Sequence, residues 1–416
     1  MSFIIAAPAS GSGKTTLTLG LLRALKRRGV PVRAAKSGPD YIDPRFHEAA
    51  CGQTCMNLDA WAMTPERIRA LGAGTLPLII EGAMGLFDGA PPDGKGATAD
   101  LARILNLPVI LVIDAGKMAG SVAPLVQGFM QHDLTVQIAG VILNNVGSPR
   151  HEGMLRRALG DTPIFGMMPR TRSLVQPSRH LGLVQAQERP DLETYLNAAA
   201  DLIADQCDLQ RLERMLTPLQ SGTTPPKRHP PAQNIAIAQD AAFAFNYPHL
   251  LQDWQDAGAS LHFFSPLANE PAPDADLIYL PGGYPELHAG TLAANSVFLN
   301  SLRDSKAHIY GECGGYMTLG ETLIDQDGNA HKMADLLPLD TSFATRRLHL
   351  GYRDLTASTG LLRGAWKGHE FHYATTLRAS GTPLFAAKDA EGTTLPPMGL
   401  IQNNVSGSFA HIIDQG

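Results

Sequence analysis

Short apolar runs recur through the chain, and most are followed by glycine or polar residues and then by a segment with helical periodicity. In the first half they cover residues 4–7, 30–35, 76–80, 108–113, 138–143 and 164–168. In the second half they cover residues 234–238, 261–265, 277–280 and 308–310. Strands that are apolar along their whole length are typical of parallel sheets covered on both faces. The pattern predicts an α/β protein with two doubly wound, mostly parallel-sheet domains.

Prolines cluster between residues 217 and 233, in the gap between the two series of apolar runs. Proline cannot continue a helix or a central strand, so this stretch is predicted to be a linker. A chain of 416 residues is also long for one ordinary hydrophobic core. The sequence therefore predicts domains at 1–216 and 234–416, joined by a proline-rich linker at 217–233.

The amino-acid composition and net charge indicate which classes of protein the chain can belong to. Hydrophobic residues make up 44% of the chain and charged residues 18%, as in soluble globular proteins. The net charge of −5 argues against nucleic acid as the main partner. No apolar run reaches the length of a membrane span, and no signal peptide is evident, so no membrane partner and a cytoplasmic location are expected.

The four cysteines do not predict a metal centre. Cys51 and Cys55 have no further cysteine or histidine at the spacing of a zinc site. In a reducing compartment they are expected to be buried or idle thiols.

The first apolar run leads into a loop of small residues that ends in Gly-Lys-Thr-Thr at the start of a helix. Backbone N–H groups and a helix N-terminus would surround a phosphate there, with Lys14 on the terminal phosphates and the Thr15 hydroxyl on Mg²⁺. The usual pattern has glycine where this chain has Pro8, and a strand–helix turn without a ligand is the alternative. The predicted phosphate-binding residues are Ser10, Gly11, Ser12, Gly13, Lys14, Thr15 and Thr16.

Charged residues also follow the second and third apolar runs. Because parallel strands bind ligands at their carboxyl ends, we expect Lys36 to contact phosphate and Asp40 to hold Mg²⁺. Glu81 ends the third run and is predicted to be a metal ligand, with Asp88 further along the same loop positioning metal or substrate. The alternative for each is an ordinary solvated turn residue.

Two later segments carry weaker signals. Asn144 follows the fifth run and could hydrogen-bond the adenine edge through its amide, or could simply turn the chain. Arg179 and His180 belong to a basic stretch that could meet a carboxylate-rich substrate, and a solvated surface loop is equally compatible.

The last apolar run of the second half ends in Gly-Glu-Cys-Gly-Gly, which resembles a nucleophile elbow centred on Cys313. A helix N-terminus is expected to lower the pKa of this thiol. Gly282 and Gly283 follow the neighbouring run and could donate backbone N–H groups to an oxyanion. His411 is the predicted base, although a lone histidine would mean little without the cysteine.

These motifs together resemble the cobyrinic or hydrogenobyrinic acid a,c-diamide synthases of cobalamin biosynthesis. The resemblance covers nearly the whole chain and implies a dethiobiotin-synthetase-like P-loop NTPase domain followed by a class I glutaminase-like domain. Pro8 is normal for this family. The matching stretches are residues 9–16, 38–44, 81–89, 179–183, 310–317 and 368–373.

The resemblance implies that ATP and Mg²⁺ activate a carboxylate of a corrin polycarboxylate as an acyl phosphate. Cys313 would release ammonia from glutamine through a thioester, and the ammonia would form amides at the a and c acetate side chains. Substrate contacts are expected from Tyr41, Asp88, Arg179 and His180. A homodimer is compatible with the sequence, which does not fix the oligomeric state.

One departure and several alternatives stay open at this stage. Ordinary class I triads have glutamate two residues after the histidine, where this chain has Ile413, and Asp414 and Glu370 are weak substitutes. Alternative activities are nickel-sirohydrochlorin a,c-diamide synthase and cobyric acid synthase. A partitioning-type ATPase switch is the non-enzymatic alternative, and it would not need the cysteine elbow. The sequence does not distinguish a metal-free from a cobalt-containing substrate.

Overall fold

A computed structural model describes residues 2–171, 174, 178–179, 182–220 and 228–416. The chain divides into two compact units, residues 1–226 and 227–416, and the division falls inside the proline-rich segment. Among the described residues, no helix is both long and apolar enough to cross a membrane.

The first unit contains a seven-stranded sheet in which all neighbouring strands are parallel. Its order is β3-β2-β4-β1-β5-β6-β7, so the chain starts in the middle and extends the sheet in both directions. The three central strands are apolar and buried, as expected for a sheet covered on both faces. The strands are β1 (Phe3–Ala6), β2 (Arg33–Ser37), β3 (Met56–Leu58), β4 (Leu78–Glu81), β5 (Val109–Asp114), β6 (Ile138–Val146) and β7 (Ile164–Pro169).

Helices connect these strands, and a short antiparallel pair follows them. The first helix packs extensively against the seventh, and Gly20 of the first helix lies against the backbone of the seventh. The helices are α1 (Lys14–Arg27), α2 (Asp43–Cys51), α3 (Pro65–Gly72), α4 (Thr98–Leu105), α5 (Val122–His132), α6 (Pro149–Leu159), α7 (Leu192–Gln206) and α8 (Leu209–Arg214). The pair consists of β8 (Ser178–Arg179) and β9 (Gly182–Leu183).

The second unit contains a six-stranded sheet with the order β11-β10-β12-β13-β23-β22. Its first five strands are parallel, and only the β22–β23 pair at the edge is antiparallel. The strands are β10 (Asn234–Ala238), β11 (Ser260–Phe264), β12 (Leu277–Leu280), β13 (His308–Glu312), β22 (Leu400–Gln402) and β23 (Val405–Ser408). The helices are α9 (Pro248–Asp256), α10 (Ala289–Ala294), α11 (Ser296–Asp304) and α12 (Gly314–Leu319).

Two further sheets in the second unit were not predicted from the sequence. One has the order β15-β14-β16-β19 and the other β21-β20-β17-β18-β24. Many of their residues are half-buried, so these strands lack the continuous apolar runs of the parallel sheets. The strands are β14 (Thr322–Ile324), β15 (Ala330–Lys332), β16 (Leu339–Ser342), β17 (His349–Ala357), β18 (Gly364–His372), β19 (Thr375–Ala379), β20 (Phe385–Lys388), β21 (Thr394–Met398) and β24 (His411–Gln415).

Two helical glycines of the first unit test whether the α1–α7 contact supports the fold. A methyl group on Gly20 would lie 2.7 Å from the Ala199 carbonyl oxygen of α7, whereas one on Gly128 of α5 would meet no atom within 4 Å. We expect Gly20→Ala to lower the free energy of unfolding by about 1–3 kcal/mol. Gly128→Ala should raise it by about 0.5–1 kcal/mol. Denaturant unfolding measures both, and a stabilising Gly20→Ala would contradict the packing.

Candidate active sites

The phosphate loop joins β1 to α1 as predicted. Gly13 caps the helix with a φ of 90°, and a Cβ at this position would lie 2.2 Å from the Asn144 amide nitrogen, so only glycine fits. Lys14 is buried and donates to the carbonyl oxygens of Met84 at 2.6 Å and Ala9 at 3.4 Å. Burial lowers the pKa of Lys14, and the charge of Glu81 opposes this shift. A phosphate oxygen would be a stronger acceptor for this ammonium group than a carbonyl.

Glu81 is the centre of a buried polar network beside the loop. It ends β4, is fully buried, and accepts a hydrogen bond from the Thr15 hydroxyl at 2.6 Å. The Lys36 ammonium donates to the same oxygen at 2.8 Å, and His47 Nε2 lies 2.6 Å from the other oxygen. Three partners on two oxygens stabilise a charge that would otherwise be costly to bury.

The network controls which of its acids is ionised. Burial alone would raise the pKa of Glu81, but Lys36 and His47 hold it well below its usual range. Burial also opposes the charge of Lys36, yet Asp43, Glu81 and Asp40 keep the pKa of that lysine well above its ordinary value. Asp43 accepts from Lys36 at 2.5 Å, and burial raises its pKa to about 7. Of the two buried acids Glu81 and Asp43, the network therefore favours ionisation of Glu81.

Sequence reasoning missed His47 and assigned no role to Asp43, although Asp43 lies in the charged stretch that follows the second apolar run. Both lie on α2 and are buried toward β2 and β4. Their spacing of four residues puts both side chains on one face of the helix, and this spacing is the sequence feature that could have identified them.

The donor set fits a phosphate with Mg²⁺. Thr15 gives its proton to Glu81 and keeps its oxygen lone pairs available, and hydroxyl and carboxylate oxygens are the ligands that Mg²⁺ prefers. Asp40 lies 4.0 Å from the Lys36 ammonium, and its other oxygen accepts from the backbone N–H groups of Ile42 and Asp43. Its role as a metal ligand stays a prediction.

The remaining predicted residues of the first unit differ in their placement. Asp88 is exposed and accepts from the Gly85 N–H at 2.9 Å, whereas Tyr41 is buried. The Asn144 amide donates to the Ser12 carbonyl at 2.9 Å and so braces the phosphate loop, and its adenine contact stays a prediction. Thr16 lies 3.1 Å from the Tyr195 hydroxyl. His180 and the side chain of Arg179 lie outside the described residues.

In the second unit, Cys313 lies at a tight turn between β13 and α12. Its φ of 46° and ψ of −101° are strained for a residue with a side chain, a conformation that costs about 1–3 kcal/mol. The turn is held by a hydrogen bond from the Cys313 N–H to the Ser408 carbonyl at 2.8 Å. The neighbouring Gly315 has no room for a side chain, because a Cβ would lie 1.9 Å from the Leu280 carbonyl oxygen. This geometry is that of a nucleophile elbow.

The expectation of a lowered thiol pKa at Cys313 is wrong for this structure. Burial raises the pKa of Cys313 well above its usual range, and the nearby charges of Glu286, Glu370 and Glu312 raise it further. A single turn of helix does not offset desolvation and three carboxyl groups. A raised pKa favours the protonated thiol, which increases the need for a base to accept its proton.

His411, at the start of β24 in the five-stranded antiparallel sheet, lies against the glycine pair that follows β12 of the six-stranded sheet. A Cβ on Gly282 would lie 2.1 Å from the His411 ring, and one on Gly314 would lie 3.0 Å from the Gly283 nitrogen. The glycines therefore lie between the predicted base and the elbow. Burial lowers the pKa of His411 to about 3, with His369 and His372 contributing, so the imidazole is neutral at neutral pH and is a weaker base than an exposed histidine.

Glu312 is a carboxyl group near His411 that sequence reasoning missed. One of its oxygens lies 3.7 Å from His411 Nδ1 and accepts from the Tyr279 hydroxyl at 2.8 Å. The other accepts from the Ile412 N–H at 3.1 Å and the Tyr310 hydroxyl at 3.2 Å. Burial raises the pKa of Glu312 to about 7, although these donors oppose the shift. The sequence feature that could have identified Glu312 is its position directly before Cys313.

The two acids suggested from sequence have other partners. Asp414 forms an ion pair with Arg228 at 2.7 Å. Glu370 pairs with Arg353 at 2.7 Å and with His372 at 2.8 Å. Glu312 is therefore a better candidate than either for orienting His411.

Comparison with known proteins assigns each unit to a domain family. Residues 3–184 match the family of CobQ/CobB/MinD/ParA nucleotide binding domains, and residues 234–415 match the CobB/CobQ-like glutamine amidotransferase domains. The chain is 52% identical over 431 residues to a hydrogenobyrinate a,c-diamide synthase of Brucella anthropi, covering 99% of this chain and 98% of that protein. A synthase of the same name from Rhodobacter capsulatus is 50% identical over 428 residues, covering 98% of each chain.

A third relative of this name, from Rhizobium meliloti, is 52% identical over 423 residues, with 99% of this chain and 98% of the relative covered. The predicted family and the α/β fold class are thereby confirmed. The chain is an amidating ligase of cobalamin biosynthesis and belongs to the hydrogenobyrinate a,c-diamide synthase family, with a nucleotide-binding and a glutamine amidotransferase domain.

Proposed function

We propose that this protein uses ATP, Mg²⁺ and glutamine to convert the a and c acetate carboxylates of hydrogenobyrinic acid to amides. The observation that carries the proposal is the presence, in one chain, of a phosphate loop with a buried acid and of a cysteine elbow connected to a neutral histidine through Gly282 and Gly283. The full-length relatives support the metal-free corrin acid as substrate over nickel or cobalt tetrapyrroles. The match over residues 234–415 speaks against a simple nucleotide switch.

The first unit would activate the carboxylate. A carboxylate is a poor electrophile at neutral pH, so transfer of the ATP γ-phosphoryl group to it gives an acyl phosphate and ADP. Lys14 would neutralise charge on the transferred group, and Thr15 and Glu81 would hold Mg²⁺ directly or through its water. Bound Mg²⁺ supplies charge neutralisation on the phosphates. Asp88, on an exposed loop, would position the metal or the substrate carboxylate.

The second unit would supply the nitrogen. Cys313 Sγ attacks the side-chain amide carbon of glutamine while His411 accepts the thiol proton. The N–H groups at Gly282 and Gly283 would stabilise the oxyanion. His411 then returns the proton to the departing ammonia, which leaves a thioester that water hydrolyses to glutamate. Ammonia attacks the acyl phosphate, and phosphate departs as the amide forms.

The two half-reactions can be separated by changing the nitrogen donor. Cys313→Ala should lower glutamine-dependent amidation at least about 1,000-fold, because the nucleophile is gone. It should keep near-normal amidation with ammonium salts. Lys14→Ala should lose activity with both donors, because phosphoryl transfer precedes amide formation. Product formation from hydrogenobyrinic acid, followed by mass spectrometry, measures each case.

Cys207→Ala is the matched control, since this thiol is half-buried and belongs to the first unit. It should retain activity with both donors. Full glutamine-dependent turnover in Cys313→Ala would contradict the role of the elbow, and ammonia rescue of Lys14→Ala would contradict the role of the phosphate loop.

Asp88 is expected to act on the substrate side of phosphoryl transfer. Asp88→Asn should keep ATP affinity within about threefold but lower amide formation by about 100-fold, because a misplaced reactant loses much of its rate. ATP hydrolysis without product should rise relative to amide formation. Asp93→Asn, an exposed acid on the following turn, is the control. A variant that loses ATP affinity but keeps its ratio of amide to phosphate would refute the assignment.

Glu312 is expected to orient His411 and to support the imidazolium that forms during attack. Because its pKa in the folded protein is about 7, the carboxylate forms only as pH rises through neutrality, and glutaminase activity should rise over the same range. Glu312→Gln should remove this dependence and lower kcat/KM for glutamine about 100-fold near pH 8. Ammonia-dependent amidation should be retained.

Stability tests the raised pKa of Glu312 independently of activity. The pKa of Glu312 is about 7 in the folded protein, compared with its ordinary value of 4.5. Its contribution to the free energy of unfolding is therefore fully present below pH 4.5 and is lost as pH rises from 4.5 to about 7. Glu312→Gln does not titrate, so its free energy of unfolding should decline less over that range. A variant with wild-type glutaminase activity at every pH would contradict the assignment.

A further inference from the structure

Glu286 is a buried acid that the mechanism above does not use. It lies in a short 3₁₀ turn, Pro285–Leu287, and is 8% exposed. Its Oε2 atom is buried and has no hydrogen-bond partner among the residues that the structure describes. Burial raises the pKa of this carboxyl group to about 8. A buried acid with an unsatisfied oxygen is costly, which suggests that its partner arrives with a ligand.

The turn that carries Glu286 is part of the glutaminase site. It follows the Gly282–Gly283 pair after one intervening residue, and the Pro285 ring lies 2.8 Å from where a Cβ on Gly314 would be. Gly314 is the residue after the nucleophile. The charge of Glu286 acts directly on Cys313, being second only to burial among the causes that raise the pKa of the thiol. The carboxyl group that carries the unpaired Oε2 is therefore within electrostatic range of the sulfur.

The chemistry of glutamine identifies what this carboxyl group would bind. Glutamine has one cation, its α-ammonium group, whose nitrogen is three carbon–carbon bonds and one carbon–nitrogen bond from the amide carbon that the thiol attacks. Glu370 also lies near the thiol, but its oxygens already pair with Arg353 and His372. We propose that Glu286 binds the α-ammonium group of glutamine and so determines the specificity of the glutaminase site. This inference rests on the proposed function.

The ion pair would also change the ionisation of Glu286 near the thiol. Without substrate the pKa of Glu286 is about 8, so this carboxyl group is mostly protonated near pH 7. An α-ammonium group beside it would favour the carboxylate. The bound ammonium group would then offset the carboxylate charge, which by itself opposes formation of the thiolate at Cys313.

The test compares glutamine with glutaramate, the same molecule without the α-amino group. Wild-type enzyme should prefer glutamine by at least about 100-fold in kcat/KM for ammonia release. Glu286→Gln should lower kcat/KM for glutamine at least about 30-fold, as expected when one partner of a buried charge pair is removed. Its kcat/KM for glutaramate should change less than threefold, so the preference should collapse.

Glu391→Gln is the matched control, because Glu391 is an exposed acid of the same unit. Ammonia-dependent amidation by Glu286→Gln should equal that of wild type, which shows that the variant is folded and that the first unit works. An equal loss on both amides, or no loss on either, would overturn the assignment of Glu286. Wild-type protein that releases no ammonia from glutamine would instead contradict the proposed function.

Discussion

A carboxylate that leaves water must be matched by cations or hydrogen-bond donors, and each catalytic unit of this protein contains one at the end of a central parallel strand. Glu81 ends β4 and is surrounded by Thr15, Lys36 and His47. Glu312 ends β13 and is matched by two tyrosine hydroxyls and a backbone N–H. The cationic partners keep Glu81 ionised, whereas the neutral donors leave Glu312 with a pKa near neutrality, about 7.

This difference suits the two kinds of chemistry. Phosphoryl transfer needs a permanent negative charge to hold Mg²⁺ and its water, and the protein contributes mainly by positioning. Glutamine hydrolysis needs groups that exchange protons, and the buried Cys313 and His411 are both neutral in the absence of substrate. Ammonia released into water would become protonated and lose its nucleophilicity, which explains why both units belong to one chain.

The sequence was sufficient to predict the parallel sheets and to propose the chemistry at their ends. Apolar runs followed by Gly-Lys-Thr and Gly-Glu-Cys-Gly-Gly are local signals, so Lys14 and Cys313 could be assigned from them. The antiparallel sheets of the second unit were missed because their strands are half-exposed. His47 and Glu312 were missed because their roles depend on contacts across strands and helices. The thiol pKa was predicted in the wrong direction because burial depends on the whole fold.

The central claim is that ATP activates a carboxylate of the corrin acid before ammonia attacks it. The most direct measurement uses substrate labelled with ¹⁸O in its acetate carboxyl groups, together with ATP, Mg²⁺ and glutamine. If an acyl phosphate forms, one labelled oxygen moves from each amidated carboxyl group to the released phosphate, which mass spectrometry or ³¹P NMR detects. Unlabelled phosphate, formed together with the amide product, would contradict the account.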